Sequence, residues 1–160
     1  SWLPHAVGSD ALLAIQQPIA RRLLPKAPAM PGAESLIRTC VQRSIPMALV
    51  TSSSKEAVLF KSAPHPWLAL IEARIYGDDP ELTRGKPDPQ PFVLAAQRLG
   101  TTADQCWALE DSRAGTTAAL AAGCQVWVLD ATKEEKARSG NPCWVASLNA
   151  VRESLLRTDD

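Results

Sequence analysis

The sequence predicts an α/β fold built on a doubly wound, Rossmann-like parallel sheet, and three observations carry that expectation. Short apolar runs alternate with amphipathic stretches of helical spacing along most of the chain. The runs are apolar enough to be buried on both faces, as parallel strands are. Each is followed at once by polar residues, and such sheets bind ligands beyond the carboxyl ends of their strands. With 160 residues, 46% of them hydrophobic, the chain has material for one domain with a real core.

Taken in order, Ser9-Asp10 can cap a helix through Ala11-Leu12-Leu13-Ala14-Ile15, with Leu23 and Leu24 further on and Pro18 as a kink. Pro25 to Pro31 is a proline-rich connection and a hinge candidate. Pro31-Gly32-Ala33-Glu34 opens a helix with Leu36, Ile37 and Val41 on one face. Pro46 to Thr51 reads as a buried strand running into Thr51-Ser52-Ser53-Ser54, and Lys55 to Phe60 as a helix. Ala73-Arg74-Ile75-Tyr76 is a second strand, stopped by Gly77-Asp78-Asp79-Pro80. Pro89 to Leu99 is a helix ending at Gly100. Cys106 to Leu109 is a third strand leading into Glu110-Asp111-Ser112. Ala114 to Ala122 is a helix capped by Gly123, and Gln125 to Leu129 is a fourth strand ending at Asp130. Trp144-Val145 forms a short edge strand, and Leu148 to Leu156 the last helix.

The bulk chemistry excludes several classes. Seventeen basic residues balance seventeen acidic ones, so nothing points to nucleic acid or an anionic membrane surface. No apolar run reaches membrane-spanning length. Ser1-Trp2-Leu3-Pro4-His5 has neither an initiator methionine nor a signal-peptide layout, and reads like the middle of a gene product. Cysteines 40, 106, 124 and 143 form no CxxC pair or zinc spacing. They read as buried, inert thiols of a cytoplasmic protein, with Cys106 and Cys124 in strand-like segments. No GxGxxG or GxxxxGK[ST] stretch supports a nucleotide-binding domain. His5 and His65 lack partners for catalysis. Asp78 and Asp79 fit a turn before Pro80 as well as the edge of a site. Arg21-Arg22 and Lys133-Glu134-Glu135-Lys136 read as solvated helix faces.

Three segments carry chemistry. Thr51, at a strand end, can donate its hydroxyl to a phosphoryl oxygen, as can the loop amides after it. Ser53, Ser54 and Lys55 either cap the next helix or help hold a substrate's distal group. Lys86, between Gly85 and Pro87 that set the backbone direction, can offer a fixed ammonium to the negative charge of a phosphoryl group; an ordinary solvated lysine is the plainer alternative. Glu110 and Asp111, adjacent after an apolar strand, suit magnesium, a hard cation that takes oxygen ligands; helix capping by Asp111 or Ser112 is the plainer alternative.

Ala48-Leu49-Val50-Thr51-Ser52-Ser53-Ser54, Arg84-Gly85-Lys86-Pro87-Asp88-Pro89 and Leu109-Glu110-Asp111-Ser112-Arg113-Ala114-Gly115 stand in the order of the second, third and fourth motifs of the haloacid dehalogenase (HAD) superfamily. The chain from about Pro31 onward resembles the phosphoglucomutase-like and phosphoglycolate-phosphatase-like branch, and Gly77-Asp78-Asp79 also fits it. The resemblance implies that Thr51 and the Ser52 amide bind the transferring phosphate and that Lys86 holds phosphate and nucleophile together. It implies Asp111 as a direct Mg2+ ligand, with Glu110 binding directly or through water.

The same family carries its nucleophile and its acid/base in an Asp-x-Asp first motif, and no such segment is present. Asp10 follows no apolar strand and has no Asp two residues on. The resemblance therefore places residues 1–24 at the end of a helical cap and residues 25–160 in an incomplete HAD core. The missing strand would lie between those ending at Thr51 and Glu110, so either these two close onto each other or a gap stays open. The implied activity is Mg2+-dependent hydrolysis of a small phosphomonoester through an aspartyl phosphate, by a monomer. A sugar phosphomutase of the same branch and a non-enzymatic or split domain are the alternatives.

Overall fold

The structure, a computed structural model, describes residues 22–23, 26–132 and 140–157. The helix expected over Ala11–Ile15, the cap assignment for residues 1–21 and 24, His5, and the charged stretch 133–136 lie outside the described residues. The proline-rich connection from Ala27 onward has no regular structure up to the turn at Pro31.

Helix α1 (Ala33–Gln42) starts at Gly32, whose φ of 84° is left-handed, and buries Leu36, Thr39 and Cys40. It ends where Ile45 N reaches back to Cys40 O and Ser44 adopts a φ of 53°. Strand β1 (Ala48–Val50) leads through Thr51 to α2 (Lys55–Ser62), which Ser54 caps by accepting from Ala57 N. After a short 3-10 turn at Pro66–Leu70 come β2 (Ala73–Ile75), a long connection, and α3 (Gln90–Arg98). Then follow β3 (Trp107–Glu110), α4 (Arg113–Ala121), β4 (Gln125–Leu129), β5 (Cys143–Val145) and α5 (Leu148–Leu156). The elements fall within a residue or two of those expected, and Gly123, with φ of 93°, sits just past α4.

All strand pairs are parallel, as alternation with helices requires. They form two blocks, β1–β2 and β3–β4–β5. Among the described residues no strand joins them, and β1 and β3 do not pair: the gap stays open. Gln125 N donates to Cys106 O, so by alternation the backbone groups of Trp107 and Leu109 face the open edge of β3. Their side chains, 38% and 39% exposed, share the opposite face from Ala108 and Glu110, which are buried. Trp107 packs on Trp127 at a ring separation of 5.0 Å, and the buried Trp127 Nε1 has no acceptor among the described residues.

Helices cover both faces. On one side α3 and α4 bring Phe92, Ala96, Ala118 and Ala119 against Ala108, Val126 and Val128. On the other, α1 and α5 bring Leu36, Cys40, Ala150 and Val151 against Trp127, Cys143 and Val145. Strand β4 is thus buried on both faces, which is why Val126 to Leu129 is a continuous apolar run. Helix α3 also packs Leu94 and Ala95 on Ile75 of β2, so one helix spans both strand blocks and holds them in place across the gap. No helix among the described residues is long and apolar enough to cross a membrane.

Cys40, Cys124 and Cys143 are buried free thiols, while Cys106 is only half buried. Cys106 and Cys124 immediately precede β3 and β4 instead of lying within them. Burial pushes the Cys124 thiol up to about 11, consistent with an inert group.

Arg98, at the end of α3, closes the free edge of β2. Its guanidinium donates to Arg74 O at 2.7 Å and grips both carboxylate oxygens of the buried Asp79 at 2.8 and 2.9 Å. Asp79 is therefore a structural anchor for the turn before Pro80. The hydrogen bonds from Arg98 hold its carboxyl below the ordinary range, against the opposing effect of burial. A depressed folded pKa means that this stabilisation is complete above the unfolded carboxylate pKa, about 3.9, and is lost as pH falls toward the lower folded value. Urea midpoints at pH 6 and pH 3 should therefore fall further for the native chain than for Arg98→Met; equal falls would remove Asp79 from the acid response.

Candidate active site

The site is assembled at the carboxyl ends of β1 and β3. Thr51 follows β1, its N–H donating to Ile75 O at 3.0 Å. Its hydroxyl accepts from Ser53 N at 3.1 Å, which leaves the hydroxyl proton to be donated elsewhere. Ser52 is exposed at the tip of the turn. Ser53 O accepts from Gly77 N at 2.8 Å, and Ser53 Oγ accepts from the Lys61 ammonium at 3.1 Å. Ser54 is the helix cap, the plainer of its two readings. Asp78 Oδ1 accepts from Lys55 N at 2.8 Å, tying the turn after β2 to the start of α2.

Gly77 has a specific reason to be glycine. A Cβ there would stand 2.2 Å from Ser52 O and 2.7 Å from Ser52 C, so the two backbones touch only because no side chain intervenes. Gly85 is different: a Cβ there would meet nothing within 4 Å, and its φ is not left-handed. The expectation that Gly85 sets the backbone direction beside Lys86 is not supported by any close approach.

Lys86 is the hub. Its side chain is 9% exposed. Its ammonium donates to Val50 O at 3.1 Å, forms an ion pair with Glu110 Oε1, and lies 5.0 Å from the centroid of the Phe92 ring. One group thus spans the gap between the blocks, touching the residue before Thr51 and the residue before Asp111.

The two acids are placed differently. Strand alternation turns Glu110 inward, its side chain 8% exposed, and its second oxygen accepts from Ser112 Oγ at 3.0 Å. Ser112 Oγ in turn accepts from Gly115 N at 3.0 Å as the cap of α4, so capping falls to Ser112 and not to Asp111. A Cβ at Gly115 would lie 2.0 Å from Glu110 Oε2, so this glycine makes room for the carboxylate. Asp111 is exposed and has no polar partner among the described residues. No group of three or more potential metal-ligating side chains occurs among the described residues. Carboxylate oxygens are donors of the kind a hard cation takes; of these two, Asp111 is the open one and Glu110 is already committed to Lys86 and Ser112. Asp130 turns to its own loop, accepting from Thr132 N and Thr132 Oγ1. Among the described residues, His65 makes its polar and ring contacts with Ala27 O and Trp67, not with the residues of this cluster.

The sequence reading missed Arg98 and Gln90, which organise the long connection carrying Lys86. No local pattern marks either residue; only their contacts do.

The profile of the haloacid dehalogenase-like hydrolases matches residues 4–123 of the sequence. The chain belongs to this family. Among curated relatives, the haloacid dehalogenase-like chain is 41% identical over 108 residues to "Probable pseudouridine-5'-phosphatase" of Drosophila melanogaster, covering 65% of this chain and 47% of that protein. It is 36% identical over 103 residues to hexitol phosphatase A of Escherichia coli, covering 64% and 46%. The chain thus spans about half the length of these relatives. A HAD family hydrolase of Deinococcus radiodurans, solved with bound phosphate and sodium, superposes with a TM-score of 0.74 at 24% identity, over 94% of this chain and 69% of that one. That likeness shows the fold, a Rossmann-like α/β architecture.

Proposed function

We propose that this chain carries the phosphate-binding and cation-binding side of a phosphohydrolase site for small phosphomonoesters. The observation that carries the reading is Lys86, buried and joined at once to the end of β1 and to Glu110. The names of two relatives, "Probable pseudouridine-5'-phosphatase" and hexitol phosphatase A, agree with it. In this reading the Thr51 hydroxyl and the Ser52 amide donate to phosphoryl oxygens, and the Lys86 ammonium offsets the charge that builds on them. Glu110 holds that ammonium in place. Asp111 is the carboxylate offered to Mg2+, which, when bound, would neutralise phosphoryl charge.

The attacking group is an aspartate on a strand seated between β1 and β3. Its carboxylate oxygen bonds to phosphorus while the ester oxygen leaves with a proton from a second aspartate, and water then hydrolyses the aspartyl phosphate. The protein in this reading is a cytoplasmic monomer acting on a phosphorylated metabolite. Incubated with magnesium and a panel of sugar and nucleoside monophosphates, the 160-residue chain should release no inorganic phosphate. Fused behind a strand bearing Asp-x-Asp, it should become a phosphatase that Lys86→Met silences. Turnover by the unextended chain would refute the assignment of the nucleophile.

A further inference from the structure

We propose that Gln90 is a positioning residue for Lys86, an inference that rests on the phosphate-binding role proposed for that lysine. The long connection between β2 and α3 contains no regular helix or strand, yet it must deliver one ammonium to Val50 O and Glu110. Gly85 does not restrain it by close contact. Gln90 does. Its Oε1 accepts from Thr83 N at 3.0 Å, Thr83 Oγ1 at 3.0 Å and Arg84 N at 2.7 Å. Three donors on one amide oxygen saturate it. Its Nε2 donates to Glu81 O at 3.4 Å. Asp88 completes the clamp, accepting from Gln90 N at 2.9 Å and pairing with Arg84 Nε at 3.2 Å.

The clamp therefore closes on Arg84, two residues before Lys86. Gln90 is also the first residue of α3, the helix that packs on both strand blocks and presents Phe92 beneath the Lys86 ammonium. The loop is thus referenced to a helix that packs on residues of both strand blocks. A side-chain amide at this point sets where the ammonium stands, as an outer contact orients a first-contact ligand.

The test uses the full chain labelled uniformly with 15N. A buried, ion-paired Lys86 should give a slowly exchanging ammonium resonance, assigned by its absence in Lys86→Arg. Gln90→Met keeps the length and removes the acceptor. It should erase that resonance and speed amide exchange at Thr83 and Arg84 by ~5-fold, as the loss of one hydrogen bond worth roughly 1 kcal/mol at each amide implies. Gln90→Glu keeps the acceptor oxygen and should restore both signals, which a merely space-filling role would not. Should Gln90→Met fail to fold, Gln90→Asn, one methylene short of Thr83 and Arg84, should give the same losses. An unchanged Lys86 resonance in the variant without the acceptor, with native exchange at Thr83 and Arg84, overturns the proposal. Inorganic phosphate is titrated in parallel. If it leaves the native Lys86 resonance unmoved, the phosphate-binding reading fails, while the role of Gln90 is still decided by the resonance itself.

Discussion

Replacing Lys86 with methionine is expected to cost about 3–5 kcal/mol of stability, because it strands a buried carboxylate without its counter-charge. Glu110 is nine-tenths buried, and among the described residues its other oxygen is served by the Ser112 hydroxyl alone. The Val50 carbonyl also loses its donor, and the contact with the Phe92 ring disappears. A loss of that size is a large share of the stability of any small domain. It is felt more here, since among the described residues β1 and β3 each present an unpaired edge. Urea denaturation followed by tryptophan fluorescence should show the transition shifted or abolished. The double variant Lys86→Met with Glu110→Leu should recover much of the loss, since replacing both partners by apolar groups removes the desolvation penalty. A single-variant loss below about 1 kcal/mol, the scale of an exposed ion pair, would mean that water reaches the pair and that the site is not built as described.

The second large effect is expected at Gly77. Gly77→Ala places a methyl group 2.2 Å from the Ser52 carbonyl oxygen, and that neighbour is backbone, not a side chain that can swing away. Either the Thr51–Ser53 turn or the segment after β2 must move, and the Gly77 N to Ser53 O hydrogen bond is lost with it. Overpacking of this kind costs about 1–3 kcal/mol and occasionally more. The displaced turn is the one proposed to bind phosphate, so inorganic phosphate affinity should fall together with stability. Gly85→Ala is the internal control. It meets open space, so it should leave the urea midpoint unchanged or raise it slightly by restricting the unfolded chain. Equal behaviour of the two alanine variants would contradict the close approach of Gly77 to Ser52.

Much of this protein was legible before any coordinates. The helix and strand boundaries follow from local periodicity and punctuation, and Leu148–Leu156 and Gln125–Leu129 occur as expected. Thr51, Lys86, Glu110 and Asp111 could be singled out because polar residues directly after apolar strands, or between a glycine and a proline, are local patterns.

The sequence by itself determined the elements, their parallel order and the candidates at the strand ends. Only the tertiary structure decided how those candidates divide the work. Glu110 and Asp111 are adjacent and chemically alike, and their fates differ because strand alternation sends one beneath α4, where Gly115 makes room, and the other to solvent. The roles of Gln90, Arg98 and Gly77 were equally hidden, because each depends on residues several positions to more than twenty away in the chain. A pattern in sequence records which face a residue shares with its near neighbours. Which distant backbone or charge it meets is settled only when the layers pack, and here α3, lying across an open gap between two blocks of strands, sets that arrangement.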